Sequence, residues 1–183
     1  EYLFIFIQAP SRDKGSVFLK RDKEIWNWQP KIEKVIKLPA SMMMQPWMGS
    51  DLTNDDLVKE SSILNDYTHQ IVGDTIIQER ACYSIELTPK AEAAVVWGLI
   101  KTFIGKKDYL QLGSEFYDED GYLITTMEAS DIRYFGTKIL PATIVMTPIE
   151  EKGKKTTIHY RSIEFNIDIQ KEFFSKQNMK RLN

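Results

Sequence analysis

Short runs rich in aromatic and β-branched residues recur along the chain, separated by glycine, proline, asparagine or aspartate. That rhythm is the one expected of antiparallel β structure. It predicts strands over Tyr2–Gln8, Ser16–Lys20, Glu24–Trp28, Lys34–Leu38, Tyr67–Val72, Ala81–Thr88, Val95–Ile104, Tyr109–Tyr117, Tyr122–Arg133, Ala142–Thr147 and Thr156–Ile163. The segments Gly105-Lys106-Lys107-Asp108, Asp118-Glu119-Asp120-Gly121 and Glu151-Lys152-Gly153-Lys154 each join two such runs at hairpin length. Aspartate and glycine supply the backbone angles that tight hairpins need. The second half therefore reads as a meander.

Two places favour helix. Thr53 stands three residues before Asp56, a capping arrangement for a short helix running to about Glu60. A further helical turn is expected near Gln170–Phe174. Several strands are apolar on both faces: Leu3, Ile5 and Ile7 alternate with Tyr2, Phe4 and Phe6, and Val95, Trp97 and Leu99 with Val96 and Ile100. A sheet with one face in water does not read this way, so either something covers the second face or the sheet curls around an apolar interior.

At 183 residues, 43% of them hydrophobic, the chain is expected to form a single domain, residues 1–183, with a substantial core. The 24 basic residues nearly balance the 26 acidic ones, and a net charge of −2 leaves no global field to attract a phosphate backbone. Nucleic acid is not an expected partner. Cys82 is the only cysteine, so no internal disulfide forms. The apolar stretch Tyr2–Ile7 is too short to cross a bilayer and lacks signal-peptide flanks. Because the chain opens inside a strand and without methionine, an upstream segment is expected.

The residues that carry chemistry form no catalytic set. His69 and His159 lie in predicted strands without a partner at metal-ligand spacing, and they read as surface or hairpin-packing histidines. Gly49-Ser50-Asp51 lacks the Gly-x-Ser-x-Gly pattern of a nucleophile turn. Cys82, between Ala81 and Tyr83, has no basic neighbour to lower its pKa and reads as a small core residue. Asp118, Glu119 and Asp120 are explained by a hairpin, and Asp55 and Asp56 by a first helical turn that favours negative charge. Neither an enzyme nor a cofactor is implied.

One run stands apart. Ser41 to Leu57 gathers four of the seven methionines beside Trp47, and methionine suits either an irregular core gap or a surface that accepts apolar ligands of variable shape.

The segments Ala9-Pro10-Ser11-Arg12-Asp13-Lys14-Gly15, Trp26-Asn27-Trp28-Gln29-Pro30, Lys34-Val35-Ile36-Lys37-Leu38-Pro39 and Trp47-Met48-Gly49-Ser50-Asp51-Leu52 resemble, in order and spacing, the outer-membrane lipoprotein-sorting (LolA-like) family. So do Cys82–Lys90, Glu115–Gly121 and the ending from Phe165 to Leu182. Met-Gly-Ser-Asp before a short acidic helix is the most specific piece. Met42–Met44 depart from the family pattern, as does Trp47 where phenylalanine is expected. The family's signal and leading helix do not fall within these residues.

The resemblance implies a mainly β fold, a strongly curved antiparallel sheet or incomplete β-barrel with short helices closing an apolar cavity. It implies a periplasmic carrier in a Gram-negative bacterium, soluble or lipid-anchored, that binds acyl chains of lipoproteins or lipids for sorting to the outer membrane, monomeric, with an inner-membrane transporter as donor and an outer-membrane acceptor. An envelope interaction or lipoprotein-sensing module on the same fold is the alternative. The expected cavity residues are Phe4, Phe6, Trp26, Trp28, Met42, Met44, Trp47, Met48, Leu57, Trp97, Leu112 and Phe116, about half of them ordinary core. Ser41–Leu57 is the expected rim and lid. Hiding a sixteen-carbon chain from water gains on the order of 12 kcal/mol gross at about 0.8 kcal/mol per methylene, so release is the harder step.

Overall fold

The computed structural model of the chain describes residues 2–22, 24–43, 45–54, 56, 62–93 and 95–181. These divide into two compact units, Glu1–Gln45 with Asn166–Asn183, and Pro46–Phe165. Both are built on antiparallel sheets, as the alternation of the sequence predicts.

The first unit holds β1 (Tyr2–Phe6), β2 (Val17–Arg21), β3 (Glu24–Gln29) and β4 (Lys34–Lys37), paired in that order. Register sets Phe4 opposite Leu19 and Leu19 opposite Trp26, while Phe6 faces Val17 and Val17 faces Trp28. This face is covered by Phe174 and by the fully buried Met179. Met179 comes from the short C-terminal helix, Lys176–Arg181. Tyr2 and Phe4 stack on Phe174 and Phe173 at 5.3 and 5.2 Å, contacts that add to the burial itself. The opposite face, with Phe18, Lys20, Ile25 and Asn27, is buried as well. The two-sided apolar pattern of β1 thus corresponds to a sheet that exposes neither face of its central strands.

The second unit begins with a tight loop and a short helix, α1 (Ser62–Asn65). Seven strands follow: β5 (Tyr67–Ile77), β6 (Arg80–Pro89), β7 (Leu99–Gly105), β8 (Gln111–Tyr117), β9 (Leu123–Phe135), β10 (Lys138–Pro148) and β11 (Thr156–His159). Every neighbour in the sheet is the next strand in sequence, the meander expected from the turn signals. The Asp118 turn shows how the sequence makes them. Its side-chain Oδ1 accepts from the N–H groups of Asp120 and Tyr122 at 3.0 and 2.8 Å, while Gly121 takes φ +82°.

The sheet is open but strongly curled. Gln78, at the β5–β6 turn, donates from Nε2 to the carbonyl of Ala129 on β9 at 3.0 Å. In the sheet order β7 and β8 stand between β6 and β9, and strands spaced about 4.8 Å apart in a flat sheet would put that carbonyl out of reach. Ile77 likewise packs with Ile132 and Leu140 around Cys82, Leu110 and Leu112. This is the strongly curved, incomplete barrel that the resemblance implies.

Several boundaries differ from expectation: β10 starts at Lys138 rather than Ala142, β11 ends at His159 rather than Ile163, and two further differences have a visible local setting. The run from Val95 joins the sheet only near its end: the strand spans Leu99–Gly105, Gly98 N–H donates to the Tyr117 carbonyl at 3.0 Å, and the chain at Gly98 passes so close to the next turn that a Cβ there would sit 2.4 Å from the carbonyl oxygen of Asp118. The alternation of Val95, Trp97 and Leu99 is therefore not a strand pattern throughout. Strand β5 runs five residues beyond Val72, through Gly73 and Asp74, by absorbing an irregularity between Ile71 and Gly73. Its turn is Gln78-Glu79, both at positive φ (49° and 62°) without glycine or asparagine, which leaves no compositional signal.

Candidate ligand-binding site

Strands β5 to β8 present three rows of side chains fixed by their register. His69, Leu87, Ile100 and Phe116 form one; Ile71, Ile85, Thr102 and Ser114 the next; Tyr83, Ile104 and Gln111 the third. All of these except Ile71 and Tyr83 line, together with Ile63 and Leu64 of α1, an apolar cleft of about 290 Å³. One of its walls is firm. Leu87, Ile100 and Phe116 are buried with Tyr67 and Met146, and Leu52, Ile85, Val95, Trp97 and Met127 pack against them. The other is open, since Leu64 keeps 73% of its surface exposed, and beyond the cleft Ile71 and Ile76 on β5 keep 61% and 73%.

A small polar corner interrupts the apolar lining. Gln111 donates from Nε2 to Ser114 Oγ at 2.8 Å, and Ser114 Oγ lies 2.9 Å from Thr102 Oγ1. Ser114 and Thr102 are 2% and 8% exposed. Buried hydroxyls are costly unless paired, and these are paired with one another and with the carbonyl of Gly113.

The Met-Gly-Ser-Asp segment forms a fastened loop beside this sheet. Met48 and Gly49 both take positive φ, 53° and 77°, reversing the chain so that Trp47 N–H donates to the Leu52 carbonyl at 2.6 Å. Ser50 Oγ donates to the Trp47 carbonyl at 2.7 Å, so the serine closes a turn. Thr53 and Asp56 then cap the following helical residues reciprocally. Asp56 Oδ2 accepts from Thr53 N–H at 2.7 Å, and Thr53 Oγ1 accepts from Asp56 N–H at 3.1 Å.

The other titratable residues serve the sheet. His159 Nδ1 pairs with Thr143 Oγ1 at 3.0 Å across β10 and β11. Cys82 is buried. Tyr117 donates to Glu115 Oε2 at 2.6 Å, and this bond, with partial burial, pushes its pKa up to about 12. Among the described residues no group of three or more histidine, cysteine or acidic side chains is placed to hold a metal.

The residues expected to line a cavity fall in several places. Phe116 lines the cleft, and Trp97 stacks on it at 5.2 Å. Phe4, Phe6, Trp26 and Trp28 belong to the core of the first unit, where Phe6 and Trp28 also floor a shallow groove with Lys14 and Lys180. Leu112 is wholly buried beside Cys82. Met42 ends a 3₁₀ turn, while Trp47 and Met48 form the fastened loop. Met44 and Leu57 lie outside the described residues, as does most of the helix expected to run to Glu60. Ile63, Leu64, Ile85, Leu87, Ile100 and Ile104 were not expected. Their signal lies in cross-strand register, with β6 and β7 contributing alternate positions to one face.

Residues 1–181 match a family model whose description reads "Uncharacterized protein". No curated protein matches the sequence. Solved structures match the fold throughout. A DUF1329 family protein from Desulfovibrio piger is 19% identical, with a TM-score of 0.89 over 97% of this chain and 76% of its own. A putative outer membrane lipoprotein-sorting protein domain from Vibrio parahaemolyticus is 20% identical, with a TM-score of 0.84 over 98% and 77%. A LolA superfamily protein from Nitrosomonas europaea is 20% identical, with a TM-score of 0.80 over 97% and 78%. At these identities the likeness is one of fold.

Proposed function

Because this chain belongs to the family whose model spans its residues 1–181 and carries the fold of LolA-like lipoprotein-sorting proteins, we propose that it is a carrier for acyl chains. It receives the chain of a lipoprotein or lipid in the cleft between α1 and strands β5 to β8. It works in the periplasm of a Gram-negative bacterium, between an inner-membrane donor and an outer-membrane acceptor, with residues 1–183 acting as one monomeric unit. The observation that carries this reading is the cleft itself, an apolar floor beneath a short helix whose leucine is largely exposed.

The mechanism is desolvation without covalent chemistry. A water-sized group occupies about 30 Å³, and a methylene is of similar size, so the cleft accepts on the order of ten of them. At about 0.8 kcal/mol each that is roughly 8 kcal/mol gross, before the cost of ordering the chain and the protein. Release requires that something compete for the same surface. Helix α1, which packs on β5, is the element a partner would displace. Among the described residues no helix is long and apolar enough to cross a membrane.

A second reading, an envelope interaction or sensing module, draws on β5. This strand is eleven residues long, stands at the end of the sheet order and exposes Ile71 and Ile76, a surface that suits strand addition by a partner. Mass spectrometry of lipids that co-purify with the protein, with displacement of an environment-sensitive apolar dye by acyl chains, separates the two. A bound chain supports the carrier. A dry cleft together with a polypeptide cross-linked along β5 would replace it.

A further inference from the structure

At one end of its four-stranded sheet the first unit gathers cations, aromatic rings and an exposed isoleucine. Strands β1 and β3 both run toward this end, since each pairs antiparallel with β2, so the loop of residues 7–16 and the 3₁₀ turn Pro30–Ile32 meet there. Gly15 of the loop and Pro30 of the turn line one groove of about 610 Å³, with Phe6, Trp28, Glu33, Lys14 and, from the C-terminal helix, Lys180. The loop is fastened. The N–H groups of Asp13 and Lys14 both donate to the Pro10 carbonyl at 2.9 Å, and Gly15 N–H donates to the Ile7 carbonyl at 2.8 Å. Lys180 Nζ stands 5.7 Å from the centre of the Trp28 ring, which sets its ammonium at the groove. Arg12 pairs with Asp13 at 3.3 Å, and beyond that pair the loop, turn and groove bring Lys14, Lys31, Lys34 and Lys180, all exposed, against Glu33. Between Lys31 and Lys34 the turn presents Ile32 with 51% of its surface exposed.

We propose that this end of the first unit docks on an anionic bilayer surface, with lipid phosphate groups against Lys14 and Lys180 and Ile32 entering the headgroup layer. The inference goes beyond the acyl-chain reading and does not depend on what the cleft of the second unit holds. Charge complementarity carries it. Lysines near an anionic surface are attracted within a Debye length, and their stems lie along apolar surface, here the rings of Phe6 and Trp28, while the ammonium groups meet the phosphates. An apolar side chain flanked by cations is the other half of an interfacial anchor, because it leaves water for the boundary of the acyl layer. An acidic polypeptide offers the lysines their countercharge but no apolar layer for Ile32.

The test is co-sedimentation of the protein with two kinds of vesicle, phosphatidylcholine alone and phosphatidylcholine with phosphatidylglycerol at about a third of the lipid. The protein is expected to bind the anionic vesicles at least about tenfold more tightly at roughly 0.1 M salt and to leave them at about 1 M, where the Debye length shrinks to about 3 Å. The Lys14→Gln, Lys180→Gln double variant is expected to lose about 25-fold in affinity for the anionic vesicles, roughly fivefold for each lysine. Ile32→Ser is expected to lose about tenfold without changing the salt dependence. Lys31→Gln with Lys34→Gln, in the turn rather than the groove, gives the same direction should the groove variant fold poorly. Equal binding to both kinds of vesicle, which is how capture of lipid by the cleft alone would show, would overturn the proposal and leave the carrier reading standing. Binding to neither, or anionic binding that survives all the lysine substitutions, would also overturn it. Retention on polyglutamate without vesicle binding would replace the bilayer with an acidic polypeptide.

Discussion

Asp51 and Thr156, 105 positions apart in sequence, hold each other by two hydrogen bonds: the Thr156 hydroxyl donates to Asp51 Oδ2 at 2.6 Å and accepts from Asp51 N–H at 2.8 Å. The pair ties the Met-Gly-Ser-Asp loop to the first residue of β11. A hydrogen bond to a carboxylate contributes roughly 1.5–3 kcal/mol, so Thr156→Val is expected to destabilise the second unit by about 2 kcal/mol. A double-mutant cycle with Asp51→Ala, read by urea denaturation, is expected to show strong coupling. Additive effects would mean that the two residues act separately.

The reciprocal cap of Thr53 and Asp56 is a local counterpart of that tie. Removing one partner, as in Asp56→Ala, is expected to cost about 1 kcal/mol. Because the damage is confined to the helix start, amide exchange there should quicken while the β8–β9 core keeps its protection. Exchange that quickens throughout the sheet would point to a wider role for Asp56.

Gly98 is required by space rather than by conformation. A methyl group at this position meets Asp118 O at 2.4 Å and Glu119 Cα at 2.8 Å, both backbone atoms that have little room to yield. Gly98→Ala is expected to destabilise by about 1–3 kcal/mol, the usual cost of overpacking, and to lower the melting temperature. Gly121→Ala tests a different cost at the same turn, since it has open space but a φ of +82°.

Tyr117 gives a pH signature. Its hydrogen bond to Glu115 favours the protonated phenol, so its pKa rises from 10.0 to about 12. The stabilisation is fully present below pH 10 and is lost as pH climbs toward 12. Absorbance titration of the eight tyrosines is expected to show one late transition that Tyr117→Phe removes. Glu115→Gln is expected to move that transition back toward 10.

Much of the fold was legible because strands alternate and turns use distinctive residues. Each of the eleven expected strands has a counterpart, and Thr53 with Asp56 forms the cap that their spacing announced. The Gln78-Glu79 turn was illegible because its strain is not written in glycine. The site was harder. Aromatics and methionines attract notice, yet Trp26 and Trp28 fill a core, while the cleft is lined by isoleucines and leucines that composition cannot single out. Register decides which of them face it, and register exists only once the strands are paired. Charge averages also mislead. By sequence, the first unit holds twelve basic and seven acidic residues, a net of +5, and the second twelve and nineteen, a net of −7. The overall −2 conceals both.

The central claim is that an acyl chain lies between α1 and strands β5 to β8. Photo-crosslinking with a diazirine placed near the end of a ten-carbon chain, followed by peptide mapping, addresses it most directly. The account predicts label on Ile85, Ile100, Ile104 or Phe116, reduced by an unlabelled competitor and abolished when Ile104→Trp fills the cleft. Label confined to the groove of the first unit beside Phe6 and Trp28, or no competable label at all, would contradict it.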